Sequence, residues 1–121
     1  MESNERQSRS IREVYKTPQF EEFYSTLPLK VQTKFNYVID VVMTIYNIST
    51  KFVKHLQNTD LYEMRISVGS NEYRTILFAI DNTNVIEATK IILLNGFLKK
   101  SNKDYRKQIE IAQSILNDLE Q

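Results

Sequence analysis

The spacing of apolar residues changes from a helical to a strand period near the middle of this chain, and that change constrains the fold more than any other feature. Within residues 18–48 apolar side chains recur every three or four positions, as in Phe20, Phe23 and Leu27, which is the period of an amphipathic α-helix. From Leu61 onward they alternate with polar residues, which is the period of a β-strand. Separate blocks of the two periods predict an α+β domain.

The helical block predicts two helices. Thr17 and Pro18 form a helix start, because a hydroxyl caps exposed amides and proline suits the first helical position. Pro28 is placed to open the second helix, whose apolar stripe comprises Val31, Phe35, Val38, Val42 and Ile45. The short connection predicts an αα-hairpin. Residues 11–16 alternate and predict a strand before these helices.

The block with period two predicts three strands, at residues 61–68, 73–80 and 85–94, with Gly96 ending the last one. Their short connections favour an antiparallel meander, since hairpin links cannot join parallel neighbours. The continuous apolar run at residues 91–94 indicates that the last strand is covered on both faces. Residues 51–56 are predicted to form one helical turn.

A final helix is predicted to begin at Ser101 or Asn102, which can cap it. Its buried side comprises Ile109, Ala112, Leu116 and Leu119. The expected architecture is therefore strand, helix, helix, three-stranded antiparallel meander and C-terminal helix, with the helices packed on a small antiparallel sheet. We expect residues 11–121 to form one domain and residues 1–10 to form a flexible polar tail.

Composition excludes several classes of site. The chain has 121 residues with no cysteine and one histidine, His55, so cysteine nucleophiles, cysteine-based metal sites and multi-histidine metal sites are excluded. Two glycines are too few for a glycine-rich phosphate loop. No metal or cofactor is predicted, and His55 is expected to have a surface or packing role. Without a signal peptide or an apolar run of membrane-spanning length, we expect a cytoplasmic protein with no membrane partner.

The formal net charge of +1 gives no general case for nucleic-acid binding, but the charges are unevenly distributed. Residues 90–107 contain a single anion, Asp104, and six cations: Lys90, Lys99, Lys100, Lys103, Arg106 and Lys107. Such a run is either a solvated face or a binding surface.

Two arginines fall in the predicted meander. Arg65 lies in the middle of one strand and Arg74 begins the next, so a nearly symmetric hairpin would place them on adjoining strands. They are either phosphate ligands or ordinary surface cations. Glu63, two residues before Arg65, is expected on the same face and can form an ion pair with it.

Three segments together resemble the RelE/HigB family of bacterial toxins from toxin–antitoxin systems. They are LYEMR at residues 61–65, Tyr73-Arg74 about eight residues later, and Gly96-Phe97 followed by Lys99-Lys100. The resemblance extends from residue 11 to about residue 116 and is nearest to the HigB-like branch. It implies the strand–helix–helix–meander order predicted above.

The resemblance implies a metal-independent, ribosome-dependent endoribonuclease that cuts messenger RNA by attack of a ribose 2′-hydroxyl on the adjacent phosphate. Arg65 and Arg74 would bind the phosphate and stabilise the transition state, since fixed cations suit developing negative charge. Lys99 or Lys100 would contact the backbone or donate a proton.

Glu63 matches a position used by some members of the family as the general base, and two roles remain open for it: accepting the 2′-proton or only orienting Arg65. Tyr105 would stack on a base or donate its hydroxyl, or alternatively pack on the sheet edge. Further RNA contacts are expected from Lys90, Lys103 and Arg106.

The expected partners are the ribosome with its message and a cognate helix-turn-helix antitoxin. The chain is expected to bind operator DNA only as part of its complex with the antitoxin. Two alternatives remain. One is a ParE-like toxin that binds DNA gyrase without cutting RNA, and the other is a non-catalytic module that binds an antitoxin. The near-neutral charge leaves the latter alternative open.

Overall fold

A computed structural model describes residues 10–121, in which a five-stranded sheet lies between helices on both faces. The predicted polar tail, residues 1–10, falls outside the described residues apart from Ser10. In chain order the elements are β1 (Glu13–Lys16), α1 (Pro18–Ser25), α2 (Leu29–Thr44), β2 (Val53–His55), β3 (Leu61–Val68), β4 (Asn71–Ala79), β5 (Lys90–Leu98) and α3 (Asn102–Leu119). The predicted α+β class is confirmed.

The sheet is mixed rather than purely antiparallel. Its strand order is β1-β5-β4-β3-β2, and β1 pairs with β5 in parallel, whereas the other neighbours are antiparallel. The meander β3-β4-β5 follows the prediction, since each of its paired strands follows the other directly in chain order. The pairing of β1 with β5 joins segments far apart in sequence, for which no local pattern exists.

The helix starts form as predicted. The Thr17 hydroxyl accepts a hydrogen bond from the Phe20 amide at 3.0 Å, with Pro18 in the first turn of α1. Pro28 is the N-cap residue of α2. At α3 the Ser101 hydroxyl accepts from the Asp104 amide at 3.1 Å.

Residues 51–56 do not form the predicted helical turn. The Phe52 and Val53 amides bond to the Ser49 carbonyl, closing one turn, and the chain then extends into β2. Pairing decides this outcome, since the Phe52 carbonyl accepts from the Arg65 amide of β3 at 2.8 Å. Val53 is buried beneath α2 and stabilises the strand further.

The last strand of the meander begins later and ends later than predicted. Residues 84–88 form a turn in which the Asn84 carbonyl accepts from the Glu87 and Ala88 amides. β5 then runs through Gly96 instead of ending there. Packing favours glycine at this position, because a Cβ at residue 96 would lie 2.3 Å from the Phe23 ring of α1.

Two hydrophobic cores cover the two faces of the sheet, so β5 is covered on both sides as predicted. The core under α1 and α2 includes Phe20, Phe35, Val38, Met64 and Leu77. The core under α3 includes Leu61, Ile76, Leu94, Ala112 and Leu116. Leu119, predicted to be buried, is 52% exposed because α3 ends there. No helix among residues 10–121 is long and apolar enough to cross a membrane.

Arg12 is a buried structural residue that the sequence pattern did not reveal. Its guanidinium donates to five backbone carbonyls, those of Val42, Ile45, Tyr46, Val85 and Ile86, at 2.7–3.2 Å. Burial lowers the pKa of Arg12. These bonds satisfy the carbonyls at the end of α2 and fasten that helix to the turn before β5.

Candidate functional site

The β3–β4 hairpin brings three charged side chains to one face of the sheet. Arg65 and Arg74 are directly opposite each other in the antiparallel register, and directly opposed residues point to the same face. Glu63 lies two residues before Arg65 and shares that face. The hairpin is symmetric about its turn, so the expectation that the two arginines are neighbours is met.

Glu63 is a buried carboxylate held by three donors or cations. Its residue is 5% exposed. Oε2 lies 3.1 Å from Arg65 Nε and Oε1 lies 3.6 Å from Arg74 Nε. The Tyr105 hydroxyl of α3 donates to Oε1. Both carboxylate oxygens are thus engaged, and the charge of Glu63 is compensated from two neighbouring strands.

Tyr105 joins α3 to this cluster. Its ring packs against Phe97 of β5 with the centroids 5.8 Å apart, and its hydroxyl reaches Glu63. Burial, followed by the hydrogen bond to Glu63, raises the pKa of Tyr105 above its ordinary value. The hydroxyl therefore stays protonated and acts as a hydrogen-bond donor at neutral pH.

A β-bulge in β5 directs Lys99 to the same face. Ile76 pairs with Asn95 but Leu77 pairs with Leu93, so Leu94 is an extra residue. The bulge shifts the alternation of side chains after it, which places Phe97, and Lys99 two residues later, on the α3 face. Lys99 Nζ accordingly lies 5.3 Å from the centroid of the Tyr105 ring.

These residues line a cleft of about 510 Å³ between α3 and the edge of the sheet. The edge strand β2 contributes Lys54, which pairs directly with Glu63 in the register and therefore shares its face. The cleft is lined by Lys54, His55, Leu56, Gln57, Thr59, Glu63, Arg65, Lys99, Tyr105 and Ile109. Three cations and a single carboxylate make this lining suited to an anionic ligand.

Sequence reasoning missed Lys54, because residues 51–56 were expected to be helical. The only available signal was the alternation of Val53, Lys54 and His55 over three residues, which is too short to distinguish a strand from a turn. His55 was expected at the surface or in packing. Its ring packs on Tyr62, with centroids 5.1 Å apart, and Nε2 lies 2.8 Å from the Thr59 carbonyl, so it holds the loop that closes the cleft.

Arg74 lies behind the cleft rather than in its lining. The residue is 3% exposed, and its Nη1 donates to the Tyr73 carbonyl at 3.0 Å and to Glu72 at 3.3 Å. Its Nε makes no hydrogen bond. Arg74 therefore acts on the cleft through Glu63. Arg65, by contrast, has a side chain that is 35% exposed.

The remaining candidate cations lie away from the cleft lining. Lys90 begins β5, nine residues before Lys99 and about 30 Å from it along an extended strand. Lys100 is exposed and does not line the cleft. Lys103 and Arg106 line a separate depression on the exposed side of α3. The structure thus brings Glu63, Arg65, Lys99 and Tyr105 together, with Arg74 beneath them.

The chemistry available in this cleft is electrostatic and hydrogen bonding. Arg65 offers a planar guanidinium that matches phosphate oxygens, while Lys54 and Lys99 offer ammonium groups. Tyr105 offers a neutral hydroxyl. Among residues 10–121 no group of three aspartate, glutamate or histidine side chains is arranged to hold a metal ion. Fixed cations on a sheet are suited to stabilising a phosphate that gains charge during reaction.

Comparison with known proteins gives one family and one fold. Residues 22–117 match the family described as phage derived protein Gp49-like (DUF891). No curated protein sequence matches the chain.

Two solved structures of the toxin RelE from E. coli share the fold. A double-arginine mutant of RelE in the free state aligns with a TM-score of 0.58 and 14% identity, covering 84% of this chain and 96% of RelE. The isolated RelE toxin aligns with a TM-score of 0.50 and 14% identity, covering 80% and 94%. The predicted resemblance to RelE-like toxins is confirmed at the level of the fold.

Proposed function

The chain belongs to the Gp49-like family and has the fold of the RelE toxin, and from this premise we propose that it is the toxin of a toxin–antitoxin pair and cleaves messenger RNA on the ribosome. One observation carries the proposal: Arg65 of β3 and Lys99, which directly follows β5, meet in one cleft beside the buried Glu63–Arg74 pair. The two cations would hold the scissile phosphate.

The reaction proposed is an internal transesterification. The 2′-oxygen of a ribose attacks its own 3′-phosphorus as its proton passes to solvent water, and the bond from phosphorus to the 5′-oxygen of the next nucleotide breaks as that oxygen takes a proton from Lys99 or from water. The products are a 2′,3′-cyclic phosphate and a 5′-hydroxyl. The phosphorane carries an additional negative charge, which Arg65, Lys54 and Lys99 would stabilise.

Between the two roles left open for Glu63, the geometry favours orientation of Arg65. A general base must lie within hydrogen-bond reach of the proton that it removes, and contacts already made to a carboxylate reduce the lone pairs that it can offer. Glu63 Oε2 is engaged by Arg65, and Oε1 is engaged by Tyr105 beside Arg74. We therefore assign Glu63 and Arg74 as positioning residues that hold the exposed Arg65 guanidinium in place.

The proposal implies an antitoxin that covers the cleft until the toxin is released. A helix-turn-helix antitoxin would also carry the pair to operator DNA. An adjacent reading frame that encodes such a protein, and that forms a stable complex with this chain on coexpression, would support this part of the proposal.

Inducible expression in a bacterial host tests the function. Wild-type chain should stop growth and produce new 5′ ends within translated messages. Arg65→Ala should reduce cleavage by about a hundredfold or more, since loss of one fixed transition-state donor typically costs about that factor. Lys16→Gln, an exposed change on the distant strand β1, is the matched control and should cleave like wild type.

Arg65 is a better test position than Arg74, because the Arg65 side chain is 35% exposed, whereas truncation of the buried Arg74 would also leave a cavity in the interior. Growth arrest with intact messages and damaged DNA would indicate a gyrase poison instead. A soluble, folded chain that leaves growth and messages unaffected would indicate a non-catalytic antitoxin-binding module.

A further inference from the structure

A second groove lies on the opposite face of the sheet, between α2 and the β3–β4 turn. Its volume is about 520 Å³, close to that of the cleft. It is lined by Lys30, Thr33, Lys34, Tyr37, Ser67, Val68 and Gly69. The lining contains two cations and no carboxylate. Asp40, the only acidic residue of α2, lies about one turn beyond Tyr37 and is not part of it.

Two aromatic rings flanked by cations form a row that runs from this groove toward the sheet edge. Lys34 Nζ lies 5.4 Å from the centroid of the Tyr37 ring, and Tyr37 meets Phe52 edge to face at 6.2 Å. Lys51 Nζ then lies 5.9 Å from the Phe52 ring. Tyr37 is 54% exposed, so this row presents an accessible ring near the two ammonium groups of Lys34 and Lys51.

The start of α2 adds to the positive potential of the groove. Its first turn contains no acidic residue, and its N-cap, Pro28, makes no side-chain hydrogen bond to the free amides. The positive end of the helix dipole is therefore uncompensated by side chains next to Lys30.

The row also leads to the cleft. Lys51 and Phe52 directly precede β2, and Lys54 in β2 lines the cleft on the other face of the sheet. Since β2 is the edge strand, the cationic surface passes around one short strand from the cleft to the groove. One extended polymer can therefore contact both.

We propose that the groove binds single-stranded RNA next to the segment held in the cleft, with Lys30 and Lys34 on phosphates and a base stacked on Tyr37. This inference rests on the proposed function. Stacking on an exposed ring beside cations is the usual recognition of single strands. A protein partner would need several buried apolar anchors, and only Tyr37 and Val68 in the groove lining are aromatic or aliphatic.

The test measures binding of the full-length chain to a fluorescent, fully 2′-O-methylated RNA of about 12 nucleotides, which cannot undergo 2′-hydroxyl attack. Tyr37→Ala should weaken binding about tenfold, whereas Tyr37→Phe, which keeps the ring, should bind like wild type. Lys34→Gln should weaken binding and reduce the slope of log affinity against log salt by about 0.7. The control Lys16→Gln should bind RNA at low salt like wild type, and the slope of its log affinity against log salt should match that of wild type.

Three results would overturn the inference: absence of RNA binding by wild type, equal binding by Tyr37→Ala and Tyr37→Phe, or an unchanged salt slope in Lys34→Gln. Displacement of the RNA by a polyglutamate peptide at lower concentration than by unlabelled RNA would point to an acidic protein partner instead. If wild type binds RNA through Tyr37 but never cuts messages, the proposed function fails while the groove assignment stands.

Discussion

Glu63 is the residue on which the arrangement of the cleft depends. It is the carboxylate that touches Arg65, Arg74 and Tyr105 together, and it brings side chains from β3, β4 and α3 to one point. A buried charge of this kind is stable only while its partners remain, since an uncompensated charge in the interior is costly.

Replacement of Glu63 should therefore destabilise the fold as well as disturb the site. Glu63→Ala leaves the buried Arg74 guanidinium next to a cavity and is expected to cost about 3–5 kcal/mol in the free energy of unfolding. Glu63→Gln keeps the shape and the acceptor oxygen and should cost less. Urea denaturation measures both. Equal midpoints for wild type and Glu63→Ala would contradict the assigned role.

Elements position the site through two irregularities. The bulge at Leu94 switches the sheet face to which each of the later side chains of β5 points, and Lys99 therefore lies at the cleft. Two residues later Gly96 admits the Phe23 ring of α1 against the backbone on the other face. Each irregularity depends on tertiary packing, and neither is visible in the alternation of the sequence.

The contact between Gly96 and Phe23 predicts a reciprocal pair of substitutions. Gly96→Ala places a Cβ 2.3–2.4 Å from ring atoms of Phe23, so the ring must move, at an expected cost of about 1–3 kcal/mol. Phe23→Leu should cost some stability alone but should recover part of the loss caused by Gly96→Ala when the two are combined. A double-mutant cycle of thermal unfolding tests this coupling. Strictly additive losses would show that the steric contact is not responsible.

At the scale of the whole molecule, pH should limit stability from both sides. The Thr89 hydrogen bonds lower the pKa of Asp81, and those from Ser67 lower the pKa of Glu72. A carboxyl group whose pKa is lowered by folding stabilises the folded state at any pH above its ordinary pKa. That stability is lost as the pH falls through the folded-state pKa. The raised pKa of Tyr105 has the opposite effect. Its contribution to the stability of the folded state is complete when the pH is below the ordinary pKa of tyrosine, and it is lost as the pH rises through the folded-state pKa.

The free energy of unfolding should accordingly be highest between about pH 5 and pH 9. Asp81→Asn should reduce the decrease in the free energy of unfolding at acid pH. Tyr105→Phe should reduce the corresponding decrease at alkaline pH. Chemical denaturation across a pH series checks both. Identical profiles for wild type and the two variants would remove these groups from the account.

Local sequence patterns predicted what local interactions decide. The caps at Thr17 and Ser101, the β3–β4 hairpin and the facing of Arg65 and Arg74 all follow from residues close in sequence. The parallel pairing of β1, the strand β2 with Lys54, and the burial of Arg74 depend on contacts between distant segments. The sequence therefore predicted which two strands carry the arginines of the site, but it predicted neither the burial of Arg74 nor the contribution of the edge strand β2.

The most direct measurement of the central claim uses purified chain with ribosomes that hold a defined message. The proposed chemistry predicts cleavage that leaves a 2′,3′-cyclic phosphate and a 5′-hydroxyl, and predicts that one 2′-deoxy nucleotide at the cut position abolishes that cut. Arg65→Ala should cleave at least about a hundredfold more slowly. Cleavage that persists at the 2′-deoxy position, or that proceeds at the wild-type rate in folded Arg65→Ala, would contradict the account.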